Sequence, residues 1–270
     1  YNNKFEKASW DEVYKIIKNK IKNTDRDKIC GFVGDLTNME TSFIFKEFFE
    51  RTLNTNKYES RSTQSFIDNS SRENYLFNST INGIEESDFI LLIGANPRFE
   101  ATMVNARIRK AYLNNRVKII SLNDVGDLTY PYEFLDGKTQ TIKDIAENQN
   151  EISKKIIDSK KPMIIFGESF LKSKSANYLF YSLKNFLLKN NKFNDDWNPL
   201  NILSTNAATV GNFDLDIIND KENLIKDLNE NKFELIYLLG QDNLYFNKKD
   251  EFVIYQGSHG DKGAEIADII

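Results

Sequence analysis

The sequence predicts an α/β fold of parallel sheets with helices on both faces, in two units, and three observations predict it. A wholly apolar run, Phe89–Ile93, is bounded by Asp88 and Gly94, the length and composition of a central parallel strand covered on both faces. That run passes straight into a Gly-x-Asn-Pro turn, and helical spacing resumes at once through Arg107 and Arg109. The strand and helix rhythm then repeats after a polar, acidic region at 136–151, as expected of two α/β units.

Each element has a local reason. Ser9-Trp10-Asp11-Glu12 fits a capping box, and Val13, Ile16, Ile17 and Ile21 continue it as an amphipathic helix. Strand signals follow at Ile29–Val33, 57–61, Phe89–Ile93 and 117–121, with helical stretches chiefly at 41–53 and 100–113. The second half reads as helix 152–158, strand Pro162–Phe166, helix 175–188, strand 201–204 and helix 221–230. Strands 234–239 and Phe252–Gln256 follow, and 268–270 begins another. Asn-rich stretches such as 189–196 are expected as exposed connections.

Composition narrows the function. With 270 residues, 40% hydrophobic and 28% charged, the chain can bury a substantial core. No window approaches the roughly twenty apolar residues of a membrane span, and the first residues are not a signal peptide. A start at Tyr1 without an initiator Met, and a stop at Ile270 inside a strand pattern, read as a portion of something longer. A net charge of -4 and a pI near 5.3 argue against nucleic-acid binding. One cysteine, Cys30, and one histidine, His259, exclude a disulfide framework, a Cys-ligated iron-sulfur cluster and a Cys/His zinc site. Cys30 has the neighbours of a buried strand and is expected to be an inert core thiol.

The recognised chemical motifs are absent. Gly31-Phe32-Val33-Gly34 lacks the dinucleotide spacing, no phosphate-binding Gly-x-x-x-x-Gly-Lys-Ser/Thr occurs, and Gly167-Glu168-Ser169-Phe170-Leu171 lacks the second glycine of a nucleophile elbow. A Ser-His-Asp triad would have to use His259, in a glycine-rich loop, and no catalytic residue is assigned. Two loops at strand ends remain. Gly94-Ala95-Asn96-Pro97-Arg98 could present backbone N–H groups and a helix terminus to a phosphate, with charge from Arg98, Arg107 and Arg109. Equally, Gly94 could allow a turn, Asn96 cap it, Pro97 start a helix and the arginines pair with acids. The second loop contains Gly257, His259, Gly260 and Asp261 and could approach a ligand in the same way, or close on itself. The aromatic loop of Tyr130 and Tyr132 could face a partner, but the two are expected to pack over the sheet edge with their hydroxyls wet.

Several motifs in order resemble one family. Asn74 through Asp88, Ile93-Gly94-Ala95-Asn96-Pro97-Arg98-Phe99-Glu100-Ala101, Asn105-Ala106-Arg107-Ile108-Arg109, Asp127-Leu128-Thr129-Tyr130-Pro131-Tyr132-Glu133 and Tyr255-Gln256-Gly257-Ser258-His259-Gly260-Asp261-Lys262-Gly263-Ala264 resemble the large iron-sulfur G subunits of NADH:quinone oxidoreductase, respiratory complex I. Those subunits are similar in fold to the molybdopterin oxidoreductases. The resemblance implies two Rossmann-like doubly wound domains, one inserted in the other: 1–60 with 150–270, and 61–149 between them. It implies iron-sulfur clusters elsewhere in the full-length subunit, with none in this chain, and a scaffold role in which Gly94, Asn96, Pro97, Arg98, Gly257, Gly260 and Asp261 mark relic pterin-dinucleotide loops. No metal ligand is assigned; in active enzymes of this type one would fall near 61–68, where Ser62, Ser65 and Asp68 stand without a cysteine. Implied partners are the other hydrophilic-arm subunits, on the cytoplasmic side of a bacterial plasma membrane and peripheral to it. The rival reading is a fragment of an active molybdopterin oxidoreductase similar to formate dehydrogenase, binding a pterin dinucleotide. A weaker one is a free nucleotide-binding module.

Overall fold

The computed structural model describes residues 5–63, 65–219, 222–259 and 261–270. Among the described residues nine strands are formed, in order β1 (Ile29–Val33), β2 (Tyr58–Glu59), β3 (Phe89–Ile93), β4 (Lys118–Ser121), β5 (Glu133–Phe134), β6 (Pro162–Phe166), β7 (Leu200–Ile202), β8 (Leu235–Leu239) and β9 (Phe252–Gln256). They make two all-parallel sheets, ordered β2-β1-β8-β9 and β5-β4-β3-β6-β7. The fold is therefore α/β with two parallel-sheet units, 1–64 with 206–270, and 65–205.

The second unit runs past residue 150, where the sequence reading returned the chain to the first domain. The reason is pairing: β6 lies beside β3 in register from Phe89↔Pro162 to Ile93↔Phe166, and β7 extends the same sheet. A strand rhythm carries no information about which sheet a strand joins.

Within each unit the side chains of the central strands alternate between two cores. In the 65–205 unit Leu91, Ile93, Ile164 and Phe166 face the helices Thr139–Ala146, Glu151–Asp158 and Ala176–Lys189. Ile90, Leu92, Met163 and Ile165 face the other way, toward Val104 and Ile108 of the helix Thr102–Asn115. In the other unit Cys30, Phe32, Ile236 and Leu238 form one core, and Ile29, Val33, Leu235 and Leu239 the other. Cys30 is fully buried, and burial pushes its thiol well above the ordinary value, in accord with an inert core residue.

The predicted helices form with adjusted ends. The Ser9 hydroxyl accepts from Glu12 N–H while Glu12 accepts from Ser9 N–H, closing the box that starts the helix Trp10–Lys22. Asn38 Oδ1 accepts from Thr41 N–H at 2.8 Å, so the next helix begins at Met39, two residues before the expected 41. It widens into a π-helix over Phe48–Leu53, laying Phe45 and Phe49 onto bare Gly31. The polar region 136–151 contains a helix the charge pattern concealed, Thr139–Ala146, anchored by buried Thr141, Ile142 and Ile145. The expected 221–230 helix spans Leu224–Asn229 behind an Asn223 cap; residue 221 lies outside the described residues. The strand expected at 268–270 is a single bridge, Ile254↔Ile269.

Candidate functional site

In an open parallel sheet a ligand sits at the carboxyl ends of the strands, where neighbouring connections leave in opposite directions. The strand orders place that point between β1 and β8 in one unit and between β3 and β6 in the other. At both points glycine turns are packed backbone on backbone. A Cβ on Gly34 would lie 1.6 Å from the Gly240 carbonyl oxygen, and one on Gly167 would lie 2.3 Å from the Gly94 carbonyl oxygen. The turn after β6 bonds to the turn after β3 directly: Ser169 Oγ donates to the Gly94 carbonyl at 2.8 Å.

The residues of the first candidate loop are engaged by their own unit. Gly94 has φ +63°, and its N–H donates to Asn123 Oδ1 at 2.9 Å. Asn96 does not cap the short helix Pro97–Glu100; its Nδ2 donates to the Val125 carbonyl at 3.2 Å, while Oδ1 is buried without a partner among the described residues. Pro97 occupies the first helical position. Arg98 Nη1 donates to the carbonyl of Asp127 at 2.5 Å and to its carboxylate at 2.7 Å. Arg107 and Lys110 share the carboxylate of Glu85, and Arg109 Nε donates to the Thr129 carbonyl at 3.2 Å. The arginines thus take the structural role. Tyr130 packs as expected, but its hydroxyl is dry, donating to buried Asn105 Oδ1 at 2.8 Å; Tyr132 OH donates to the Gly126 carbonyl at 3.1 Å.

The second candidate loop belongs to the other unit and closes on itself. A Cβ on Gly257 would lie 2.4 Å from the Tyr255 hydroxyl oxygen. That hydroxyl donates to Asp242 Oδ2 at 2.9 Å and to the His259 carbonyl at 3.2 Å. Burial and the Asp242 carboxylate push it up to about 12. Asp242 Oδ1 also accepts from Gly263 N–H, and Asp261 caps the short helix Lys262–Glu265. His259 Nδ1 lies 2.8 Å from Ser258 Oγ with no carboxylate bonded behind the ring among the described residues, so the pair is no triad. Gly260 lies outside the described residues.

In the 61–68 segment, Asp68 is the carboxylate a metal would need. Its oxygens already accept from Asn74 Nδ2 at 2.6 Å, Tyr181 OH at 2.5 Å and Ser70 N–H at 2.9 Å. Burial pushes this carboxyl up, and the bonds from Ser70 and Tyr181 outweigh it, holding it below the ordinary carboxylate range. Among the described residues no three His, Cys, Asp or Glu side chains converge as metal ligands. The donor set of 61–68, without a thiol and with its one carboxylate already bonded, is a poor fit to a pterin-bound metal. The sequence marks Gly34, Gly94 and Gly167 as glycines directly after apolar strands but carries no sign that Gly34 packs against Gly240 or Gly167 against Gly94.

The sheet topology and the four strand-end glycines define a doubly wound α/β protein of the dinucleotide-fold class. The sequence profile of the molybdopterin oxidoreductase family matches residues 1–270, and the chain belongs to that family. It is 35% identical over 270 residues to the G subunit of NADH-quinone oxidoreductase from Rickettsia bellii (strain RML369-C), covering 100% of this chain and 39% of that protein. It is 35% identical over 285 residues to the NADH-ubiquinone oxidoreductase 75 kDa subunit of Reclinomonas americana, covering 100% of this chain and 41% of the relative. The mitochondrial 78 kDa subunit of the corresponding Candida albicans enzyme is 36% identical over 278 residues, with 99% and 37% covered. The chain spans about two fifths of the length of these curated relatives.

Proposed function

We propose that this chain is the molybdopterin-like structural part of a complex I G subunit. It supports electron transfer from NADH to quinone that is carried by iron-sulfur clusters outside these 270 residues. Its partners are the other hydrophilic-arm subunits, at the inner face of a bacterial plasma membrane. The observation that carries the reading is the bonded state of the segment where a metal ligand would stand: its one carboxylate, Asp68, is already taken up by Asn74, Tyr181 and Ser70. The names of the relatives, each matched across essentially this whole chain, support the choice of complex. No helix among the described residues is long and apolar enough to cross a membrane, which is compatible with a peripheral arm.

The test is the molybdenum, tungsten and pterin content of the native protein purified with its partners from membranes. Contents far below one per complex, in a preparation that oxidises NADH, are expected. Stoichiometric metal and pterin would overturn the scaffold reading and make Ser62 to Asp68 the active-site segment.

A further inference from the structure

The helix Thr102–Asn115 carries apolar side chains on two opposite sides. Val104, Ile108 and Ala111 pack into the core of its unit. On the far side Met103, Ala106, Lys110 and Leu113 follow one another at spacings of three, four and three residues, which is the seam spacing of a helix that packs against another helix. Met103 and Leu113 are 67% and 53% exposed, and Phe99, in the preceding turn, is 81% exposed. Scattered exposed apolar residues need no explanation, but a seam does.

Charge identifies what covers it. The helix carries Arg107, Arg109 and Lys110 and no acidic residue, in a chain whose net charge is -4. At 100° per residue, Arg107 and Arg109 fall on opposite flanks of the seam, the positions that set partner choice in paired helices. Arg107 and Lys110 share the single carboxylate of Glu85, which leaves one positive charge over, and among the described residues Arg109 bonds only a carbonyl. The flanks therefore keep a surplus of positive charge beside an apolar line.

We infer that the outer face of this helix docks an acidic amphipathic helix of another polypeptide, its apolar residues meeting Met103 and Leu113 and its carboxylates meeting Arg107 and Arg109. A bilayer is the poorer match, because Lys110 stands in the middle of the seam and a surface-bound helix buries a broad apolar face. The inference rests on the chain working inside a multisubunit assembly.

The test places a photoreactive benzophenone side chain at Met103 in the full-length protein within its native membrane-extracted assembly, with Tyr178, 58% exposed, as the control position. The cross-linked peptides are then sequenced. The expected product at Met103 is an acidic amphipathic segment of a different subunit, formed at least about fivefold more than at Tyr178. Cross-linking to lipid, to a second copy or to another part of the same chain, or a yield no higher than the control, overturns the docking. Met103→Glu should reduce retention of that subunit at least about tenfold on a density gradient, with Tyr178→Glu retaining it. If the unmodified chain itself fails to travel with the assembly, the proposed function has failed; if it travels and the variant does so equally, only the docking has.

Discussion

A carboxylate that is 3% exposed must be fully bonded or it destabilises the fold, and Glu59 is fully bonded. It accepts from Arg61 Nε at 3.0 Å and Nη2 at 2.7 Å, and from the N–H groups of Ser60, Arg61 and Asn219. This rivets the end of β2 to the 217–219 segment, two stretches far apart in sequence. Glu59→Gln, which removes the charge and replaces one of the two acceptor oxygens by a donor, is expected to cost at least about 2 kcal/mol in urea unfolding. A loss within error of zero would mean that the pair is no rivet. Glu100 is the opposite case. Burial pushes its carboxyl up, Glu168 adds to this, and Oε2 has no partner among the described residues. A raised acid favours folding while protonated, so its contribution is present below about pH 4.5 and is lost as pH rises through the folded value. Glu100→Gln should therefore raise the melting temperature at pH 7 to 8, with the gain vanishing toward pH 4; a gain independent of pH would refute that assignment. Neither residue was legible in the sequence. Glu59 lies in Tyr58-Glu59-Ser60-Arg61, which reads as an ordinary polar strand end, and its burial depends on Asn219, 160 residues away.

At the scale of the element, the turns after β3 and β6 meet at contact distances that only glycine permits. Gly167→Ala would place its Cβ 2.3 Å from the Gly94 carbonyl oxygen and 2.4 Å from Ala95 Cα, both backbone atoms that cannot swing aside. The expected loss is about 1–3 kcal/mol, with the two turns forced apart. Gly126 supplies the contrast: φ is +68° but nothing lies within 4 Å, so Gly126→Ala should cost only about 1 kcal/mol of backbone strain. Equal losses at the two positions would sink the close-contact account. The central strands were legible because double-sided burial makes them apolar throughout; Ile29–Val33, Phe89–Ile93 and Pro162–Phe166 form where the sequence places them. Glu133–Phe134 was not legible, since both residues of this two-residue edge strand are exposed and carry no pattern. The Gly94 turn was visible as a turn. That it packs against the turn after β6 depends on Ser169 and Phe170, which are distant in sequence and distinctive only once β6 is known to pair with β3.

For the whole molecule, connectivity makes the two units unequal. The 65–205 unit is one continuous stretch holding all five strands of its sheet and both of its cores. The other unit draws β1 and β2 from the first stretch of chain and β8 and β9 from the last. Its central contact, five residues of β1 in register with β8, joins residues about two hundred positions apart, whereas β1 and β2 match at only two positions. Residues 65–205 expressed alone are therefore expected to unfold in a single cooperative urea transition with parallel far- and near-ultraviolet circular dichroism changes. Residues 1–64 alone, with two strands and no partner for the open side of β1, should show neither transition. A 65–205 fragment lacking fixed near-ultraviolet signals would mean that its cores need the rest of the chain, against the self-contained packing of Ile93, Phe166 and Phe180 on one face and Leu92, Ile108 and Ile165 on the other.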